Sequence, residues 1–256
     1  SGSKSKFIPV SLESLIECNY KGGKDTLSLY VKNRPETQLF SGKTLSLSGS
    51  MRSSELNPKA ICGDISAILI KYIPDWANHL RTPPKKIALT DGWNEKLELF
   101  AQHTKKENIT GLAGVPSWIL IILKRILEIE GKESLNSIWP NLELFMHGGV
   151  NFTPYLPQYK EITNANKLLF WQIYNASEGY FATQDRCFAD DMLLLLNNGV
   201  FYEFINFSDF TNNQFHTIPL EEVKENINYV IVISTNAGLW RYIIGDVIQF
   251  TSLNPY

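Results

Sequence analysis

The sequence has few cysteines, no long apolar run and no basic cluster, and each absence narrows what the chain can be. Its three cysteines lie far apart and form no CxxC pair, which argues against a zinc site and against a disulfide framework. The most apolar stretch, GVPSWILIILKRIL, is interrupted by Lys124 and Arg125 well short of the length of a membrane span. We therefore expect buried free thiols, a reducing compartment and no membrane partner.

Charge is balanced along the chain. The 24 basic and 26 acidic residues give a net charge of −2, and no run of basic residues is longer than a pair. Nucleic acid is therefore not expected as a main partner. The first residues, SGSKSKFIPVS, lack the apolar core of a signal peptide, so we expect a cytoplasmic location. With 44% hydrophobic residues in 256, the chain can bury the core of one large or two small domains.

The spacing of apolar residues predicts alternating helices and strands over the first three quarters of the chain. The predicted helices cover 10–19, 62–80 with a break at Pro74, 92–104 and 116–130. The predicted strands cover 26–33, 44–51, 142–149 and 167–174. The helix over 116–130 has the clearest limits, because proline is tolerated in a first turn and Gly131 is a stop signal.

After residue 190 the sequence consists of β-branched and aromatic runs joined by Asn/Gly turns. The last of these predicts a hairpin with its turn at 236–238. The fold class is therefore expected to be α/β, with layered helices and sheets over 1–190 and a mainly antiparallel β sheet or barrel over 191–256.

Two glycine-containing stretches are candidates for contact with a ligand. In SGSKSKFIP, backbone N–H groups of a flexible loop can cradle phosphate oxygens while a lysine neutralises them, and a solvated tail or cloning remnant explains the stretch equally well. In HGGVN (147–151), the glycine pair after a strand permits close approach of a flat ligand, and a tight turn is the alternative. His147 is interpreted as a satisfied structural histidine.

Two further stretches place a carboxylate next to glycine. In YNASEG (174–179), Glu178 suits Mg²⁺, Tyr174 suits stacking on a base and Ser177 suits a phosphate, and an exposed loop glutamate is the alternative. In GLWRYIIGD (238–246), Asp246 at a strand end suits a ribose diol, and a Gly-Asp turn is the alternative. The order of the four stretches suggests that they line one nucleotide site.

Seven stretches resemble, in this order, the acyl acid–amido synthetases of the auxin-responsive-promoter (Gretchen Hagen) family, within the adenylate-forming superfamily. They are SKSKFIPVS, GVPSWILIILKRILE, HGGVNFTPY, YNASEGYFA, FYEFI, IPLEEVKENINYVIVIST and GLWRYIIGD. The resemblance extends over essentially the whole chain and is greatest to bacterial members. It implies an internal segment of the large N-terminal adenylation domain, spanning 1–256.

The resemblance implies a two-step reaction. A small carboxylic acid attacks ATP to give an acyl-adenylate, and an amino acid then displaces AMP to form an amide, with Mg²⁺ as cofactor. The implied catalytic residues are Lys6, in the phosphate loop, and Glu178, which is also the metal ligand. The implied nucleotide-binding residues are Ser1, Gly2, Ser3, Gly148, Gly149, Val150, Tyr174, Ala176, Ser177, Trp240 and Asp246.

The sequence departs from the family pattern at several points. The start of the phosphate loop survives at most as Ser1-Gly2, and Ile243 stands where plant members carry a second arginine, for which Arg241 is a candidate substitute. The resemblance implies a mobile C-terminal domain after Asp246, and we expect residues 1–256 not to include it. We therefore expect residues 1–256 alone to bind nucleotide weakly and not to complete amide synthesis.

Two other functions are compatible with the same residues. One is an adenylate-forming ligase with coenzyme A or another thiol as acceptor, and the other is a non-catalytic nucleotide-binding relative. The identity of the acid and the oligomeric state do not follow from the sequence. Candidate acyl-pocket residues are Trp118 and the loop 46–52, in which Arg52 is interpreted as a surface or structural arginine.

Overall fold

The structure is a computed structural model, and it describes residues 6–53, 61–163 and 167–256. The described residues form two compact units. The first unit comprises the described residues up to Ser28, Tyr174–Asp185 and Ala189–Tyr256, and the second comprises Leu29–Ile173 and Arg186–Phe188. Ser1, Gly2 and Ser3, which the sequence predicts in the nucleotide site, lie outside the described part of the chain.

Helices and strands alternate along most of the described chain. The α-helices are α1 (Leu12–Ser14), α2 (Lys21–Asn33), α3 (Ile65–Tyr72), α4 (Asp75–His79), α5 (Lys85–Ala88), α6 (Trp93–Thr104), α7 (Pro116–Glu130), α8 (Leu156–Ile162) and α9 (Phe207–Thr211). A π-helical turn, Leu15–Tyr20, joins α1 to α2, and short 3₁₀ turns cover Leu39–Ser41, Leu135–Ser137 and Leu220–Glu222.

The strands up to residue 176 are β1 (Lys43–Ser46), β2 (Met51–Ser53), β3 (Ile61–Gly63), β4 (Arg81–Thr82), β5 (Ile109–Gly114), β6 (Leu144–His147) and β7 (Leu169–Ala176). The later strands are β8 (Gly179–Thr183), β9 (Leu193–Leu194), β10 (Val200–Asn206), β11 (Asn228–Thr235) and β12 (Tyr242–Gln249).

The second unit is built on a parallel sheet with the strand order β4-β1-β5-β6-β7. Helix α7 covers this sheet with one apolar face, in which Ile119, Ile122, Leu123 and Ile126 are buried among the core residues. Each such side chain removed from water contributes about 1.5–3 kcal/mol, so this face dominates the packing of the helix. Because all strands point the same way, β5 and β6 end at one edge of the sheet, where Gly148 follows His147.

The first unit contains an antiparallel sheet with the order β10-β11-β12. Its buried side is formed by Ile205, Val230 and Val232, with Phe210 and Ile243 packed against them. Strand β8 pairs with β9 in the same unit, also antiparallel. The α/β fold class and the antiparallel sheet in the C-terminal quarter are therefore confirmed.

Several predicted elements match the structure and one is wrong. The helix predicted over 116–130 is α7 with the same bounds, and the break at Pro74 separates α3 from α4. The strand predicted over 26–33 is instead the second half of α2, which continues through Gly22 and Gly23. Among the helices of the described chain, none combines the length and the apolar character needed to cross a membrane.

Candidate functional site

The stretch YNASEG forms the tip of a β-hairpin in the first unit. Strand β7 ends at Ala176, Ser177 and Glu178 make the turn, and β8 begins at Gly179. Ser177 is exposed and Glu178 is half-buried. A Cβ at Gly179 would lie 3.0 Å from the ring of Phe181 and 3.3 Å from Sγ of Cys18, so the glycine permits close packing here. The hairpin thus presents a hydroxyl and a carboxylate on a two-residue turn.

Tyr174 connects this hairpin to Asp246. Its ring packs against Phe181 with 5.0 Å between the centroids, and its phenol donates a hydrogen bond of 2.6 Å to Oδ2 of Asp246. Burial raises the pKa of Tyr174, and the hydrogen bond to the carboxylate raises it further, so the phenol remains a donor. The sequence predicted a stacking role for this ring, and the structure adds a second contact that holds an acidic residue in place.

Asp246 lies in a β-bulge and not at the strand end that the sequence predicted. Val230 pairs with Val247 and Val232 pairs with Ile243, so three residues of β12 stand opposite the single residue Ile231. Gly245, within the bulge, has φ +99°, a conformation that favours glycine. Bulges of this kind redirect a side chain within a strand. Asp246 is exposed, with Oδ2 bound to Tyr174.

The N-terminal segment of the first unit reaches the same strand. Nζ of Lys6 donates a hydrogen bond of 3.3 Å to the phenol of Tyr242 and lies 5.8 Å from the centre of its ring. Ser11 donates from its hydroxyl to the carbonyl of Asn236 at 3.3 Å, in the connection between β11 and β12. Lys6, which is exposed, is therefore attached to the strand that carries Asp246.

The neighbours of Asp246 in the sequence have separate environments. Trp240 is 82% exposed and is available for contact with a ligand. Arg241, at φ +48°, forms an ion pair of 3.1 Å with Glu203 and donates to Thr217 at 2.7 Å. In this structure its guanidinium is paired with Glu203 of β10 and with Thr217. Ile243 packs against the apolar side of the sheet.

Gly148, Gly149 and Val150 lie in the second unit, directly after β6. Gly149 has φ +82°, so the glycine is required by the backbone, and Val150 is 41% exposed. Asn151 accepts a hydrogen bond of 3.0 Å from the backbone of Thr153, which fixes the end of this loop. Gly148–Val150 belong to the second unit, whereas the other described residues of the predicted site belong to the first.

His147 is a buried, neutral residue at the start of this loop. Its ring stacks on Phe152 with 4.0 Å between the centroids and contacts Phe145 and Phe170. Burial lowers its pKa to about 4. It is structural, as expected, but the expectation that it is satisfied was wrong, because Nδ1 has no hydrogen-bond partner among the described residues.

The residues considered for an acyl pocket are in the second unit. The rings of Trp93 and Trp118 meet edge to face with 4.6 Å between their centroids, and Trp118 is 47% exposed. Trp118 and Ile121 lie outside the buried face of α7. The side chain of Arg52 lies outside the described part of the chain.

Glu178 is the candidate ligand for the Mg²⁺ that the resemblance implies. Its half-buried carboxylate takes part in no ion pair within the described residues. No group of three or more His, Cys, Asp or Glu residues suited to a metal occurs in the described ranges. Mg²⁺ commonly uses one or two protein carboxylates together with substrate phosphates and water. The single carboxylate of Glu178 on the hairpin turn therefore fits a Mg²⁺ ion whose other ligands are nucleotide phosphates and water.

Tyr242 is a residue of this site that sequence reasoning passed over. It stands four residues before Asp246, within GLWRYIIGD, and accepts the hydrogen bond of Lys6, from which it is 236 positions apart in the chain. The only signal in the sequence was its place inside a stretch already singled out. Because Lys6 and Tyr242 are so far apart in the sequence, their contact is visible only in the folded chain.

Solved structures of similar fold identify the fold of the chain. The acyl acid amido synthetase AtGH3.15, solved in complex with 2,4-DB, aligns over 98% of this chain and 52% of its own, with a TM-score of 0.76 and 18% identity. A 2-hydroxyisobutyryl-CoA ligase, solved with 2-HIB-AMP and CoA, aligns over 82% of this chain and 39% of its own, with a TM-score of 0.50 and 12% identity. The fold is that of the adenylate-forming enzymes.

Family models define the chain more closely. The GH3 family N-terminal domain matches residues 1–168, and the GH3 family central domain matches residues 193–255. The chain therefore belongs to the GH3 family. The indole-3-acetic acid-amido synthetase GH3.3 of Arabidopsis thaliana is 27% identical over 123 residues, which are 46% of this chain and 20% of that protein. The chain thus aligns with about a fifth of this curated relative and half of the similar structure.

Proposed function

We propose that this chain is part of an ATP-dependent ligase that activates a small carboxylic acid as an acyl-adenylate and joins it to an amino acid. The observation that supports the proposal best is the grouping of Tyr174, Glu178 and Asp246 with Lys6 in one compact unit of a GH3 family member. The names of the similar proteins, which are amido synthetases, agree with it.

Each grouped residue has a role that its chemistry suits. Asp246 accepts hydrogen bonds from the ribose hydroxyls, and Tyr174 holds the carboxylate for this contact. Lys6 neutralises phosphate charge. Glu178 binds Mg²⁺, which when bound neutralises charge on the triphosphate during transfer of the adenylyl group. Support for these roles comes from the 2.6 Å hydrogen bond of the Tyr174 phenol and from the position of the half-buried Glu178 on the hairpin turn.

The remaining predicted residues shape the nucleotide pocket. Ala176 and Ser177 leave room for phosphates at the hairpin tip, and Trp240 offers an exposed ring to the base. Gly148, Gly149 and Val150 form the wall between the adenine and acyl pockets. Ser1, Gly2 and Ser3 complete the phosphate loop.

The proposed reaction consists of two substitutions. The acid's carboxylate oxygen attacks the α-phosphorus of ATP, so that a new phosphorus–oxygen bond forms and pyrophosphate leaves. The amine of the amino acid then attacks the acyl carbon, forms the amide, loses a proton and releases AMP. Both steps depend on alignment of the reactants and on exclusion of water from the mixed anhydride.

Several finer predictions accompany this function. They are a bacterial origin, a cytoplasmic location, an internal position in the large N-terminal domain, and a boundary near residue 190 between the α/β part and the mainly antiparallel part. The acid is expected to be small, and its identity is open to assay.

The proposal is tested by ATP–pyrophosphate exchange in the natural full-length protein that carries this chain, with a panel of aryl, indolyl and aliphatic acids. Exchange that requires one group of acids supports adenylation and defines the acyl class. Trapping the second step with amino acids or with coenzyme A then separates amide formation from thioester formation. A folded protein that binds Mg²⁺-ATP but gives no exchange with any acid would contradict the proposed activity.

A further inference from the structure

We infer that Cys18, Gly22 and Thr26, together with Tyr180, form an anchor that positions the hairpin bearing Glu178. This inference rests on the proposed function, because it assigns positioning residues to the proposed metal ligand. Tyr180 lies two residues after Glu178, at the start of β8, and all four residues belong to the first unit.

The backbone of Tyr180 is held by two side chains. Its N–H donates to Sγ of Cys18 at 3.2 Å, and its carbonyl accepts a hydrogen bond from the amide of Asn198. Cys18 is 2% exposed, and burial raises the pKa of its thiol, so the sulfur is neutral and inert. The thiol therefore acts as a hydrogen-bonding packing group and not as a nucleophile.

The side chain of Tyr180 is held at both ends. Its ring lies directly on Gly22, where an added Cβ would come within 2.6 Å of two ring carbons. Its phenol is 2.6 Å from Oγ1 of Thr26. Because Thr26 donates its own proton to the carbonyl of Gly22 at 2.9 Å, the phenol of Tyr180 is the donor in this pair.

The three anchoring residues share one side of a continuous helical segment, at intervals of four. Cys18 lies in the π-helical turn Leu15–Tyr20, and Gly22 and Thr26 lie in α2. A π turn is wider than an α turn, and such turns are frequent near functional sites. Nδ2 of Asn19 donates to the carbonyl of Ser14 at 3.1 Å, which satisfies an acceptor at the widened turn. The irregular turn is thus stabilised at the position where the thiol meets the hairpin.

The anchor has a consequence for the proposed site. Lys6 precedes this helical segment in the chain, and Glu178 precedes the anchored strand. The contacts of Tyr180 with the helical segment therefore also restrict the position of Glu178. The same helical segment follows Lys6 in the chain. Residues that orient a metal ligand, without contacting the metal, typically change metal affinity by about 10- to 100-fold when they are replaced.

Two adjacent glycines provide a matched pair of variants. Gly22→Ala places a methyl group against the ring of Tyr180, whereas a Cβ at Gly23 meets nothing within 4 Å. Both changes replace glycine in the same helix, so they share any gain in helix propensity. Only Gly22→Ala is expected to move the hairpin.

The measurement is calorimetric titration of the natural full-length protein with ATP, with and without saturating Mg²⁺, for the wild type and four variants. The quantity of interest is the factor by which Mg²⁺ strengthens ATP binding. We expect Gly22→Ala to reduce this factor about tenfold, toward the value of Glu178→Gln, while Gly23→Ala retains it. Tyr180→Phe, which keeps the ring and loses the phenol, should reduce it about threefold.

Thermal unfolding of each variant separates positioning from stability. A merely structural role lowers the melting temperature and leaves the Mg²⁺ factor of the folded fraction unchanged. If Tyr180→Phe and every folded Gly22→Ala sample keep the wild-type factor while Glu178→Gln loses it, the anchor is refuted and the metal site survives. If Glu178→Gln also keeps the factor, the proposed metal role itself fails.

Discussion

The phenol of Tyr174 donates a hydrogen bond of 2.6 Å to Oδ2 of Asp246, although the two residues are 72 positions apart in the chain. One lies near the tip of a hairpin and the other in a bulge of a separate sheet within the same unit. Their contact makes the carboxylate an oriented acceptor, which a flexible aspartate on a strand would not be. The predictions below follow from this pair, from the backbone that supports it, and from the buried histidine of the second unit.

Tyr174→Phe is expected to weaken ATP binding about tenfold. A hydrogen bond to a charged acceptor contributes about 1.5–3 kcal/mol, and its loss frees Asp246 to rotate away from the ribose. Calorimetric titration with ATP and with 2′,3′-dideoxy-ATP measures the effect. Equal losses for the two nucleotides would show that the tyrosine does not act through the ribose contact.

Gly245→Ala is expected to destabilise the bulge by about 1–2 kcal/mol, because the left-handed conformation is strained for a residue with a Cβ. Gly245 has φ +99° and open space around it, so strain and not collision is the cause. We expect ATP affinity to fall as Asp246 loses its orientation, which titration of the folded variant measures.

Gly131→Ala is the matched control for this change. Gly131 also has positive φ (+58°) and open surroundings, but it ends α7 in the second unit. Its replacement should lower the unfolding midpoint in urea and leave ATP affinity unchanged. If Gly245→Ala and Gly131→Ala lose ATP affinity equally, the loss is caused by general instability and not by the orientation of Asp246.

His147→Phe is expected to reduce the acid sensitivity of folding. Burial lowers the pKa of His147 from 6.5 to about 4, so the folded state keeps this imidazole neutral while the unfolded chain protonates it. The associated stability is complete above pH 6.5 and is lost as the pH falls toward 4, by about 3 kcal/mol in total.

Urea unfolding at pH 7.5 and pH 5 tests the histidine, with the same substitution at His79 as control. His79 is exposed, so its replacement should leave the difference between the two pH values unchanged. His147→Phe should shrink that difference while keeping the stack on Phe152. An unchanged difference in this variant would contradict the assignment.

The sequence predicted correctly the long helix whose ends are marked by proline and glycine. It did not predict a helix whose buried face contains few large apolar residues. Helix α7 was predicted with its exact bounds because Pro116 and Gly131 mark its ends. Helix α2 was predicted as a strand because Leu27, Leu29 and Val31 alternate with polar residues. Its buried positions are in fact Gly22, Thr26 and Tyr30, spaced by four, and two of them are small.

The candidate site was predicted as a set of residues but not as an arrangement. The hairpin turn at Ser177-Glu178 and the bulge at Gly245-Asp246 depend on strand register, which the sequence does not specify by itself. The Tyr174 to Asp246 and Lys6 to Tyr242 contacts join distant segments, so only the folded chain reveals them. Strand β5 was missed because its glycines weaken the strand pattern, although Gly111 packs closely on Thr44.

The central claim is that Glu178 links Mg²⁺ to the nucleotide, and the most direct test is the Mg²⁺ dependence of ATP–pyrophosphate exchange in Glu178→Gln. The natural full-length protein is used, with an accepted acid at saturation and Glu221→Gln, an exposed residue of the same unit, as control. We expect Glu178→Gln to lose Mg²⁺-dependent exchange by at least about tenfold while the control retains it. Exchange in Glu178→Gln with the Mg²⁺ dependence of the wild type would contradict the account.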